Sequence, residues 1–414
     1  MRRDPVAADT FGAVRRHLTP AAALTGKVIG QGAVEESAAG CRVRTSDGRS
    51  LLDFGSYGVA LLGHRNPAVL AAVIRQLDQL PVSTRTLANP VTAAAATRLG
   101  TYLGAGLTRV YLGANGSDAV EAALKLARLA TGRPTVLAVR GGYHGKTLGA
   151  LSATSTPLFR EGLHALLGHV EHLDVADTAA LRVRLRAEDV AAVIFEPIQG
   201  EGGVVPLDRD ALAEWCDAAH DAGAFAISDE IQCGLRRCLA PSVAVADELP
   251  VDAVLFGKGL GGGVVPVSAV VCTDDLYRPL LADPYKHTAT FSAYPLGCAA
   301  LVAALDEVER LAGHAGDLAE RLAGHLADLR GRHPDAVSQV RGRGLLWAIE
   351  FATPHLGGEV LVNLAQEGLL VSPCLGRPEC LRLMPPLVAG LDDIDTAHHL
   401  ISAALDRAVR DVEN

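Results

Sequence analysis

Short, almost continuous apolar runs recur through the middle of the chain: RVYL at 109–112, TVLAV at 135–139, VAAVIF at 190–195, AFAIS at 224–228, AVLF at 253–256 and VSAVVC at 267–272. Runs of this length without polar alternation are what strands buried on both faces require. Between them the apolar positions change to helical spacing. In 118–131 Val120, Leu124 and Ala127 share one face, and 208–223 repeats the pattern and closes at Gly223. Strands alternating with helices predict an α/β fold with a mostly parallel central sheet covered on both sides.

The pattern changes toward the carboxyl terminus. An Ala/Leu/Glu/Arg-rich helix is predicted from about 297 to 330, then a strand in GLLWAIEF at 344–351, then a helix near 393–410. This reads as a smaller α+β domain. The expected division is therefore an N-terminal segment, 1–50, belonging to the small domain, a large domain over 51–300, and a carboxyl-terminal small domain over 301–414. The Ala-rich stretch 89–103 reads as a helix rather than a linker, and no internal repeat is evident.

With 414 residues, 49% of them hydrophobic, the chain can bury a large core. The net charge of -9, with no long basic run, argues against a nucleic-acid partner. Eight cysteines without a CxxC pair fit a reducing compartment and no structural zinc, so no metal is expected. The first twenty residues hold no apolar run of signal-peptide length, and the most apolar stretch, 252–271, contains Lys258, Pro266 and several glycines. The expected location is the cytoplasm, without a membrane segment.

Candidate chemistry gathers just after the strands: GANGSDAVE, EPIQGEGG, DEIQCG and GKGLGGG. In open parallel sheets ligands bind beyond the carboxyl ends of strands, so one crevice could collect Ser117, Glu196, Asp229 and Lys258. Gly116 and Ser117 open a helix, where free N–H groups favour an anion such as phosphate; a simple cap by Ser117 or Asp118, with Glu121 in capping-box spacing, is the competing reading. Asp229 ends an apolar strand and needs a cation: a protonated heteroaromatic nitrogen or a structural arginine. Lys258 is either an amine held dry enough to attack a carbonyl or a lysine reaching out from a loop.

Nine stretches carry a family pattern in order: LLDFGSYGVALLGHRNPAV, GSDAVEAALKLAR, YHGKTLGALSAT, VIFEPIQGEGG, ISDEIQCG, FGKGLGGG, HTATFSAYPLGCAA, VRGRGLLWAIEF and LRLMPPL. Over roughly 51–390 the chain resembles the class-III pyridoxal-phosphate-dependent aminotransferases, the group acting on ornithine, acetylornithine, 4-aminobutyrate and other ω-amines. The resemblance implies the aspartate-aminotransferase-like fold, fold type I, with pyridoxal 5'-phosphate as cofactor. Lys258 would carry the cofactor as an internal aldimine and later move the substrate proton. Asp229 would keep the pyridine nitrogen protonated. Gly116 and Ser117 would hold the phosphate, joined by Thr290 from the neighbouring subunit of a homodimer. Tyr143 and Ile231 would cover the two ring faces, Gln232 would contact the phenolic oxygen, and His144 and Glu196 would support them.

For substrate the resemblance implies Arg382 on the α-carboxylate, Glu201 neutralising that arginine, Tyr57 at the entrance and Lys146 at a distal carboxylate. The implied partners are an amine donor, a peptide amine among the candidates, and an α-keto acid acceptor. The chain departs from the family at three places. Lys146 stands where many members have arginine, CGLRRCLAPS replaces a glycine-arginine-threonine-glycine turn, and FSAYPLG replaces a glycine-glycine-asparagine run. The expected activity is reversible transamination through a pyridoxamine phosphate form. The alternatives are a decarboxylase, aminomutase or racemase on the same scaffold, and a cofactor-free interaction protein that has kept the fold.

Overall fold

The computed structural model describes residues 5–413, which form two units. One is Pro67–Ala312; the other joins the described residues up to Asn66 to those from Gly313 onward. The breaks thus fall after Asn66 and Ala312, not near 50 and 300. The strand Ser50–Asp53 pairs with Leu369–Leu370, while the helix Pro295–Arg310 packs on Pro67–Gln79 and Pro90–Tyr102.

Seven strands make the sheet of the Pro67–Ala312 unit. From edge to edge they are Arg109–Gly113, Ser268–Cys272, Ala253–Phe256, Phe225–Asp229, Val190–Phe195, Thr135–Val139 and Val170–Leu173. Pairing is parallel except on both sides of Ser268–Cys272, which runs against its neighbours. Successive side chains go to opposite faces. Val136, Ala138 and Ile194 therefore enter one apolar core with the helix Gly116–Thr131, while Leu137, Val139, Val193 and Phe195 enter another with Trp215 of Arg209–Asp221. Two covered faces explain the unbroken apolar runs.

The helix Gly116–Thr131 starts at Asn115, whose side chain accepts the Asp118 N–H, and ends at Gly132 in the left-handed region, φ 71. The cap is therefore Asn115, neither Ser117 nor Asp118. Glu121, the expected capping-box partner, bonds elsewhere: its Oε1 accepts the Thr147 hydroxyl and the Gly149 and Ala150 N–H groups, so it caps the next helix, Leu148–Ala153.

Both altered loops have structural compensation. In CGLRRCLAPS, Leu235, Arg236 and Leu239 occupy positive φ without being glycine. The Arg236 guanidinium grips both oxygens of Glu309 at 3.0 and 2.7 Å, and Tyr102 donates to the same carboxylate. In FSAYPLG, Tyr294 donates to Pro266 O at 2.7 Å and lays its ring over Gly297. Alanine normally stabilises a helix interior over glycine by about 1 kcal/mol. Here a Cβ at 297 would lie 2.7 Å from Tyr294 Cε1. Gly297→Ala should instead cost about 1–3 kcal/mol in denaturant unfolding, and Tyr294→Ala should recover most of that loss.

The second unit holds two four-stranded sheets. One runs Val337–Arg343, Leu346–Phe351, Arg377–Leu383, Ser372–Cys374, all antiparallel; the other runs Glu35–Ala39, Arg42–Thr45, Ser50–Asp53, Leu369–Leu370. The helix predicted over 297–330 is two, Pro295–Arg310 and Ala312–Arg332, interrupted at Leu311. Among the described residues no helix is long and apolar enough to cross a membrane.

Candidate active site

At the carboxyl ends of the parallel strands of the Pro67–Ala312 unit lies a cavity of ≈ 230 Å³. Nine residues expected at the cofactor line it: Gly116, Ser117, Tyr143, His144, Glu196, Asp229, Ile231, Gln232 and Lys258. Asn115 and Gly145 complete the wall.

Lys258 follows the strand Ala253–Phe256 and one glycine, and its backbone sits at φ 44. For a residue with a Cβ this conformation costs on the order of 1–3 kcal/mol, a strain found where a particular side chain must be held. Gly257 leaves little room for a side chain: a Cβ there would meet Ile231 Cγ2 at 3.2 Å and Gly116 Cα at 3.4 Å. A Cβ on Gly116 would likewise meet Ile231 Cδ1 at 3.1 Å. Two glycines therefore let the lysine turn and the start of the Gly116–Thr131 helix close on one isoleucine. Opposite, Gly145 at φ 127 lies so near Ser117 that a Cβ would come within 2.3 Å of its hydroxyl.

Asp229 is buried, and its carboxylate is held from two sides. Oδ1 accepts the Ile231 N–H at 3.1 Å, and Oδ2 lies 2.7 Å from His144 Nδ1. Its side-chain partner is therefore a histidine rather than an arginine. Burial opposes charge on His144, but the hydrogen bond and the negative charge of Asp229 outweigh it and raise its pKa. His144 is thus part of the site's charge arrangement, a role that a histidine between Tyr143 and Gly145 does not advertise in sequence. Its Nε2 is buried without a hydrogen-bond partner among the described residues.

Glu196 links two loops, Oε1 accepting the Tyr143 N–H at 2.7 Å and Oε2 the Gly200 N–H at 3.1 Å. Burial pushes its carboxyl from 4.5 up to about 7; the His144 charge opposes this and Asp229 adds to it. The folded chain therefore keeps a proton that the unfolded chain releases. The stability from this group is complete below about pH 4.5 and is lost as pH rises through about 7. Glu196→Gln should flatten the melting temperature of cofactor-free protein across that window; an unchanged slope would show the carboxyl ionised throughout.

The other expected residues stand apart from this cavity wall. Glu201 is buried close enough to Tyr143 for its charge to help raise the tyrosine pKa, behind the effect of burial. Lys146 is exposed, with Nζ 4.0 Å from the Phe159 ring centroid. Thr290 is exposed and is not part of the lining. Tyr57 and Arg382 belong to the second unit. There Tyr57 sits at φ 50 beside Ser56 at φ 43, a turn tied by Asp53 to Gly55, Ser56 and His64. Arg382 is fully buried on its strand, and Met384 two residues on donates to Phe54 O at 2.7 Å. Asn115, Gly145 and Gly257 were not singled out in sequence; only the helix-capping pattern before Gly116 could have pointed to Asn115.

A lysine held in a strained turn, a buried aspartate backed by histidine, and a helix start open to an anion define a site suited to a phosphorylated, carbonyl-bearing heteroaromatic cofactor. The chain belongs to the class-III aminotransferases: it matches the family described as Aminotransferase class-III over residues 28–405. It is accordingly a pyridoxal-phosphate-dependent transferase of fold type I. It is 36% identical over 368 residues to a putrescine aminotransferase of Pectobacterium atrosepticum, covering 86% of this chain and 79% of that protein. Ornithine aminotransferase of Toxoplasma gondii ME49 superposes with a TM-score of 0.87 at 31% identity, over 98% of this chain and 96% of that one. A second structure of the ornithine aminotransferase from Toxoplasma gondii, described as having partial PLP occupancy at its active site, gives 0.86 at 31% identity, over 100% and 97% of the two chains.

Proposed function

We propose that this enzyme moves an amino group from a terminal amine to an α-keto acid in two half-reactions, with Lys258 and Asp229 as its central residues. The observation that carries the assignment is the Asp229–His144 pair in the same small cavity as the strained Lys258. Support for pyridoxal phosphate comes from the glycines packed against Ile231, which keep one side of the cavity slim, and from the helix start at Gly116 in its lining, whose N–H groups suit a phosphate. When bound, this cofactor supplies an electron-poor ring that takes up the electrons left when the carbon next to the nitrogen loses its proton.

Lys258 would hold the cofactor covalently through Nζ and, once released, take and return the substrate proton from the same amine. The Asp229 carboxylate, charge-paired with His144, would keep the ring nitrogen protonated. The Gly116 and Ser117 amides and the Ser117 hydroxyl would hold the phosphate. Tyr143 and Ile231 would bound the ring, and Gln232 and Glu196 would order its polar edge. The roles of Tyr57, Glu201 and Arg382 toward the two substrates rest on their sequence motifs. Thr290, exposed and outside the lining of its own chain's cavity, supports a homodimer in which it reaches the partner's phosphate. Eight buried cysteines, none in a disulfide, support the cytoplasm as the compartment.

A panel of amine donors, putrescine included, tests the reading when each is mixed with stoichiometric holoenzyme. Conversion to pyridoxamine phosphate with an α-keto acid restoring the starting spectrum is the expected result. Carbon dioxide or inverted amine, with no pyridoxamine phosphate from any donor, would replace transamination by decarboxylation or racemisation.

A further inference from the structure

We propose that Lys146 is a positioning residue for the Tyr143 ring, acting through Phe159, rather than a contact for a substrate carboxylate. Tyr143 is anchored through its main chain to Glu196, but its ring is only half-buried and its hydroxyl makes no hydrogen bond among the described residues. What sets the ring is therefore its neighbour. The Phe159 ring meets it nearly edge-on, centroids 6.0 Å apart at 79°, the favourable T-shaped arrangement.

Phe159 also meets a charge. Lys146 Nζ lies 4.0 Å from the Phe159 centroid, well inside the range of a cation–π contact, and Lys146 forms no ion pair among the described residues. Between Tyr143 and Lys146, Gly145 takes φ 127, a conformation open to glycine, and both side chains reach the same phenylalanine. The short helix Pro157–Arg160 that carries Phe159 is itself fixed, because Arg160 Nη1 donates to Thr154 O at 3.3 Å and lies 3.1 Å from His172 Nδ1. The chain Lys146, Phe159, Tyr143 thus ends at the cavity wall, while Lys146 itself does not line it.

The proposal rests on the function above only in taking Tyr143 to face the cofactor. Pyridoxal phosphate is titrated into cofactor-free wild type, Lys146→Gln, Lys146→Arg, Phe159→Leu and the double variant Lys146→Gln/Phe159→Leu. Lys146→Gln should weaken binding about two- to fivefold, Lys146→Arg should restore it, and Lys146→Gln should add nothing once Phe159 is leucine. KM for 2-oxoglutarate and for pyruvate, which lacks the distal carboxylate, should shift alike. A rise confined to 2-oxoglutarate that persists in the Phe159→Leu background, or no rescue by arginine, would overturn the proposal in favour of direct carboxylate contact. If wild type binds no pyridoxal phosphate, the functional reading fails first, and the clamp is then read from thermal unfolding of the same five proteins. Coupling between positions 146 and 159 upholds it, and additivity overturns it.

Discussion

Borohydride reduction of the holoenzyme should fix one cofactor per chain on the peptide containing Lys258, and Lys258→Ala should show neither the attachment nor measurable turnover. The expected loss is large because one nitrogen has two tasks. Proton transfer by a positioned side chain contributes about 10²–10⁴-fold, and the covalent hold adds to this. The backbone supplies a control. Lys258 sits at φ 44, which alanine adopts with strain and glycine adopts freely. Lys258→Gly should therefore be as inactive as Lys258→Ala yet unfold at a higher temperature in the cofactor-free state. Attachment at another lysine, or turnover within tenfold of wild type, would displace Lys258 from its role.

The second large effect is expected at Asp229. Asp229→Asn keeps the shape but not the charge, so it removes both the partner of a ring nitrogen and the carboxylate that raises the His144 pKa. A fall in kcat of about 10²–10³-fold, the usual cost of one preorganised electrostatic contact, should accompany weaker cofactor retention. The next residue is the comparison. Glu230 is also buried, but its oxygens accept from the Ser242 hydroxyl and the Val243 and Ala244 N–H groups, so it caps a short helix and does not line the cavity. Glu230→Gln should lower stability by about 1–3 kcal/mol and leave kcat in the remaining folded enzyme close to wild type. Equal losses of kcat at the two carboxylates would mean that Asp229 acts through the fold rather than on the chemistry.

The sequence made some of these relations readable and concealed others, for physical reasons. Six of the seven strands of the large sheet were visible because they are mostly buried and mostly apolar. Val170–Leu173 was not, because as an edge strand it is largely half-buried and carries Glu171 and His172. The break at Leu311 was hidden by a helical composition that continues across it. At the site, the residues following strands could be grouped by topology alone, since parallel strands deliver their ends to one place. Pairings between separate loops could not: the Asp229–His144 contact spans 85 positions, and nothing local to either residue encodes it. Lys146 shows the opposite limit: its family position suggests a carboxylate contact, and the Phe159 ring 4.0 Å from its Nζ is a neighbour that the sequence does not reveal.

All eight sulfhydryls are buried and in no disulfide, and burial pushes the acidity of Cys41, Cys216, Cys233, Cys272, Cys298 and Cys380 further from the thiolate. The intact enzyme should accordingly be inert toward alkylating reagents, and each label that mass spectrometry finds would mark a chain that had opened. The chain thus carries its own record of breathing and damage, distributed over both units and requiring no engineered probe.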